Sequence, residues 1–171
     1  MTVIEYSRAS EAETLCKACG LCCTGDLFSW VRLKAAELTP LETLGMKVIR
    51  NDPRQRGFLQ PCPMWNGICA IYDSPHYPRG CDTYKCKLLR ELLDESVELS
   101  QALRVVKQAQ AKIRSVEKLL PPSTHASFRE RLVEQLERGE SPAPFRAKAR
   151  ELLAYFDRQF GVNDFLPKED S

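Results

Sequence analysis

All eight cysteines of this 171-residue chain lie between positions 16 and 86. Four fall within eight residues, in the run Cys16-Lys17-Ala18-Cys19-Gly20-Leu21-Cys22-Cys23. Two cysteines separated by two residues can place both sulfurs on one metal, because a tight turn between them aims backbone amides at the thiolates. Gly20 fits such a turn. A third cysteine at the same interval goes beyond the zinc knuckle, which works in pairs. Three at that interval, with a remote Cys followed by Pro, is the pattern of a bacterial 4Fe–4S site. Cys62, followed by Pro63, is the remote candidate.

Cys62, Cys69, Cys81 and Cys86 are spaced more widely, so only the fold can bring them together. Eight thiols suit two four-sulfur sites, or one cluster with four left over. Cys22 and Cys23 are neighbours in sequence and cannot easily share one tetrahedral ion. One of them must serve a second site, bridge, or stay free. The expected metal ligands are therefore Cys16, Cys19, Cys22, Cys23, Cys62, Cys69, Cys81 and Cys86, holding an iron–sulfur cluster (4Fe–4S) or Zn2+.

A single cysteine is more often a small buried hydrophobe. Four on a short polar stretch without core periodicity do not fit that reading. A disulfide scaffold needs an oxidising compartment. The first residues, MTVIEYSRASEAETLC, carry Glu5, Glu11 and Glu13 and lack the basic start and apolar run of a secretory signal. The expectation is a cytoplasmic chain with reduced thiols. No stretch of eighteen apolar residues occurs, so no membrane partner is expected. A net charge of +2 leaves no electrostatic footprint for nucleic acid. His76 sits inside the cysteine region and could replace a thiolate, although a surface loop suits it better; His125 reads as structural or solvated. Tyr72, Tyr77 and Tyr84 crowd the second cysteine set and read as packing. No Ser–His–Asp set, phosphate loop or carboxylate pair nominates a catalytic residue.

Around these residues the chain reads as mainly α. Residues 1–86 form a loop-rich cysteine-cluster region with short strands, and residues 87–171 a three-helix extension packed on it as one compact unit. Residues 30–33 (WVRL) and 68–72 (ICAIY) are the expected strands. Thr39, Pro40 and Glu42 look like an N-cap, a first helical residue and a capping-box partner, for a short helix ending near Gly45. One long helix is expected over 83–120, because Leu92, Leu99, Val106, Ile113 and Leu120 recur every seventh residue, flanked by Leu88, Ala102, Ala109 and Val116. That seam fits an intramolecular bundle better than a coiled coil, since two more amphipathic helices need a partner face. The second runs from Ser127, with Glu130 three residues on, to Gly139. The third runs from near Ser141-Pro142 to Gly161 and buries Phe145, Ala149, Leu152, Phe156 and Phe160. The polar tail 163–171 is expected to fray.

The run CKACGLCC resembles the signature of the YkgJ-type CxxCxxCC cysteine-cluster family, described as zinc- or iron-chelating proteins. Cys62-Pro63, Cys69-Ala70-Ile71-Tyr72, Pro78-Arg79, Cys81, and Tyr84 with Cys86 resemble its downstream pattern in order. The resemblance covers residues 16–86, less than half the chain. Two departures stand out: Pro78-Arg79 inverts the family's Arg-Pro, and Asp82 stands where an Arg often follows the cysteine. The resemblance implies metal chelation more firmly than any reaction. Flagellin lysine-N-methylases share the signature, but this chain shows no motif for their methyl donor. Three functional classes follow: an iron–sulfur protein with a redox or electron-transfer role, a structural zinc module presenting its helical part to a protein partner, and a metal-dependent enzyme acting on a protein substrate.

Overall fold

The structure, a computed structural model, describes residues 3–165, with side chains from Ala9 onward. It is mainly helical, with seven helices and one two-stranded sheet among the described residues. The first helix, α1 (Val3–Cys19), carries the first two cysteines in its last turn. The sequence reading anticipated a turn there. The helix forms because Ala and Glu are good helix formers and Lys17 pairs with Glu13 one turn earlier. It stops at Gly20, whose φ of 66° is left-handed backbone that costs glycine nothing.

The strand at β1 (Trp30–Arg32) is as expected, but its partner is β2 (Gly57–Leu59), antiparallel, with Val31 opposite Phe58. Residues 68–72 are not a strand. Turns around Asn66 and Gly67 leave only an isolated bridge between Trp65 and Cys69, too short to propagate a ladder. Helix α2 (Ala35–Thr43) starts five residues before the expected first helical position, Pro40. The Glu37 carboxylate accepts from the Lys34 backbone N–H at 2.6 Å, so the first turn is closed there and Pro40 sits inside the helix. Its end before Gly45 is as read.

The long helix expected over 83–120 is divided. Cys81 lies in a five-residue helix, α3 (Arg79–Thr83), followed by α4 (Lys87–Leu93) and α5 (Leu99–Glu117). The break lies at 94–98. Glu95 takes a φ of 63°, the Ser96 amide turns back to Glu91 O, and the Glu98 amide donates to Gln101 Oε1 at 2.9 Å to restart the helix. The heptad seam survives the break: Leu92, Val106 and Ile113 are buried, as are the flanking Leu88, Ala102, Ala109 and Val116. Helices α6 (Phe128–Glu137) and α7 (Ala143–Phe160) match the reading. Ser127 caps α6 by accepting from the Glu130 amide, and all five residues named for the buried face of α7 are buried. The tail differs in part. Phe165 is buried and stacks on Phe156 at 5.5 Å, because an aromatic ring gains more from the core than the chain loses on ordering; residues 166–171 lie outside the described residues.

Two hydrophobic cores result. The larger joins α4, α5, α6 and α7 to Leu15 of α1 and to Leu21 and Leu27 of the following turn. The smaller gathers Leu33, Leu38, Leu41, Met46, Phe58 and Ile71 around α2 and the sheet. Cys19, Cys22 and Cys86 pack on the larger core, and Cys62, Cys69 and Cys81 on the smaller. No helix among the described residues is long and apolar enough to cross a membrane.

Candidate metal centre

The turn after α1 is folded tightly on itself. The Thr24 amide donates to Gly20 O at 2.8 Å, and the Asp26 and Leu27 amides both reach Leu21 O at 3.1 Å. Leu21 and Leu27, buried in the larger core, pin this turn from below. The Arg129 backbone amide and its guanidinium hold it from the side, donating to Gly25 O and Leu27 O. A Cβ at Gly20 would stand 2.1 Å from the Trp65 ring, so the first cysteine run and the second are packed face to face. The Cys62 amide also donates to Cys23 O at 2.7 Å.

Cys16, Cys19, Cys22, Cys23 and Cys86 line one cavity of about 60 Å³, together with Leu15, Leu27, Leu88 and Tyr84. That is room for several water-sized atoms. Cys86 enters from the N-cap of α4. It, rather than Cys62, is the remote cysteine that joins the CxxCxxC run. Cys62, Cys69 and Cys81 instead pack on the smaller core with Met64 and Tyr77. His76 is exposed in its loop and His125 lies near α6, 3.8 Å from Glu130.

Several thiols face backbone amides. The Leu21 amide favours the charged form of Cys19, that of Met64 acts likewise on Cys62, and those of Leu88 and Leu89 on Cys86; the Trp65 amide donates to the Cys62 carbonyl at 3.1 Å. Each donor lies two or three residues after its cysteine. At Cys86 no strict capping hydrogen bond forms, so those amides act on the sulfur as oriented dipoles. Nothing in the cysteine pattern singles these amides out, although their spacing after each cysteine is readable in the sequence.

Burial is the main influence on the thiols. It pushes Cys19 up to about 12, with the Leu21 amide opposing and Cys86 adding to the rise. Cys22 is held well above its ordinary value by burial, then by Cys19 and Cys86. Cys23 rises to about 12 through burial, then Cys62 and Cys69. Cys81 and Cys86 are also raised, chiefly by burial. Cys16 is exposed as a residue, yet burial is the first cause raising its thiol, followed by Cys86. Metal-free, these thiols are neutral near pH 7; a bound cation would reverse the balance by favouring thiolate. Tyr84 and Tyr77 are raised by burial first, and then by Cys22 and by Cys81 respectively.

All eight cysteines are free thiols, which is the donor chemistry that zinc and iron–sulfur clusters select. Among the described residues, however, no three His, Cys, Asp or Glu side chains converge closely enough to hold one metal ion. The thiols line a space rather than point at a single centre. Comparison with known families, with curated proteins and with solved structures gives no match.

Proposed function

We propose that this chain is a cysteine-cluster metal-binding protein that carries an iron–sulfur cluster in a redox or electron-transfer role. The observation that carries the reading is the cavity lined by five thiols against the larger core. Buried core cysteines would also be neutral and desolvated. Five lining one small cavity, two of them facing backbone amides, is not what core packing needs. The YkgJ-type resemblance of the CKACGLCC run agrees with chelation.

Zinc is the alternative, as a structural ion tying the two cores together. A single Zn2+ needs all its sulfurs about 2.3 Å from one centre. Thiols arranged around a cavity suit a cluster that spreads its cysteines over several irons better. When bound, the cluster would supply one-electron chemistry. The chain's own part is to present Cys19 and Cys86 with amides aimed at their sulfurs, and to exclude water with Leu15, Leu27 and Leu88.

Anaerobic purification followed by a visible spectrum and elemental analysis tests this. Iron with labile sulfide is expected. A colourless protein with stoichiometric zinc overturns the iron–sulfur reading, and a folded metal-free protein with free thiols overturns both. Cys19→Ser loses metal, whereas the exposed His76→Ala retains it; equal loss in both would mean the ligand set is wrong.

A further inference from the structure

We propose that the open groove between the end of α6 and the outer side of α7 docks a short acidic segment of a partner protein, one that also carries an apolar side chain. The proposal does not rest on the metal-binding reading and holds whether or not the thiols carry metal.

The groove encloses about 520 Å³ and is lined mostly by apolar groups. Val162 and Phe165 are buried at its floor, while Leu136 of α6 and Leu153 of α7 are half-buried and keep apolar surface open to a ligand. One wall is a single stripe of α7. Arg146, Arg150, Leu153, Ala154 and Asp157 fall at helical intervals on one face, beside the core stripe that begins at Phe145. Charge is graded along this wall: arginines at the N-terminal end, apolar side chains in the middle, a carboxylate at the far end.

The two charged ends differ in what they have left to bind. Asp157 already accepts from the Asn163 side-chain amide at 3.2 Å. Arg146 and Arg150 are exposed, and neither has a carboxylate partner among the described residues. On α6, by contrast, Arg129, Arg131 and Arg138 are answered by Asp164, Glu117 and Glu134. The groove therefore offers two cations one turn apart beside an apolar floor. A carboxylate can meet a guanidinium with two parallel hydrogen bonds, and apolar neighbours strengthen that pair by excluding water. A basic segment would meet like charge. Nucleic acid fits less well: Asp157 repels phosphate, and the Phe165 ring is buried against Phe156 and cannot stack a base. The wall from Arg146 to Asp157 runs about three helical turns, roughly 16 Å. About five residues of extended chain span that length, so acidic and apolar side chains of one short segment can reach both parts of the groove.

Fluorescence anisotropy of the full chain tests the proposal. The probe is a fluorescein-labelled pentapeptide of two aspartates, a glycine and two leucines, set against counterparts with lysines or asparagines in place of the aspartates. The acidic probe is expected to bind most tightly, and more weakly as salt rises. Arg146→Glu combined with Arg150→Glu should weaken it by at least about tenfold through loss of the charge-assisted pairs, and should improve binding of the lysine counterpart. Lys148→Glu changes charge on the same helix but outside the groove, beside Lys112 and Glu151, and should alter binding by less than about twofold. Chemical-shift mapping on the wild-type chain should move Leu136, Leu153 and Val162. Equal binding of the three probes, an equal loss in Lys148→Glu, or shifts confined to another surface overturns the proposal. So does binding that appears only after residues 166–171 are removed, which would make the chain's own tail the occupant. A dimer that Arg150→Glu separates would make the occupant a second copy and overturn it as well.

Discussion

Replacing Gly20 with alanine probes the contact that joins the two cysteine runs. At φ 66° an alanine pays about 1–2 kcal/mol for left-handed backbone. Its Cβ would also lie 2.1 Å from the Trp65 ring, which must retreat by over an ångström to regain ordinary contact. Forcing the ring off its rotamer costs a further ~0.5–1.5 kcal/mol. The expected loss is about 2–3 kcal/mol, or about 5–10 °C in Tm for a domain of this size. Urea denaturation of the reduced, metal-free protein, followed by circular dichroism, measures it. A double-mutant cycle separates the two causes. In a Trp65→Ala background, Gly20→Ala should cost only the backbone share, leaving a coupling of about 1 kcal/mol. Equal costs in both backgrounds would refute the packing argument. A loss under about 0.5 kcal/mol would refute the left-handed conformation as well.

Three further outcomes are expected. Ser127→Ala removes the α6 cap, where a fully buried hydroxyl accepts from the Glu130 amide, and should lower stability by about 1–2 kcal/mol in thermal denaturation. Phe156→Ala, which empties a fully buried site between Phe160 and Phe165, should cost about 3–5 kcal/mol with an unchanged urea slope. Asp26 is raised from its usual value, first by burial, with the Thr24 hydroxyl opposing. Its charged form is therefore disfavoured in the fold, and this group subtracts stability as pH rises from the ordinary carboxylate range through the raised value. Asp26→Asn should gain stability at neutral pH, and that gain should vanish in acid; a gain that instead grows in acid would reverse the sign of the argument.

Local signals in the chain were reliable where local physics decides. Ser127 with Glu130, Gly139 and Gly161 mark helix ends because capping is settled within one turn. The seven-residue seam placed Leu92, Val106 and Ile113 in the core even though the helix bearing it is broken at 94–98. The break itself was hidden, because Asp94, Glu95 and Ser96 carry no Gly or Pro to announce it. The pairing of β1 with β2 was equally hidden, since a three-residue strand has too little alternation to stand out, and ICAIY resembles a strand more closely than GFL does.

For the site, sequence alone determined which residues carry the chemistry: eight thiols confined to one half of the chain, with the first four too dense for core packing. It could not say which thiols meet. That depends on long-range packing: α4 delivering Cys86 to the cavity beside Cys19, the smaller core receiving Cys62, Cys69 and Cys81, and Trp65 lying against Gly20. The thiol chemistry travels with each residue. Which thiols share a cavity follows from how distant segments pack, and only the folded chain has that packing.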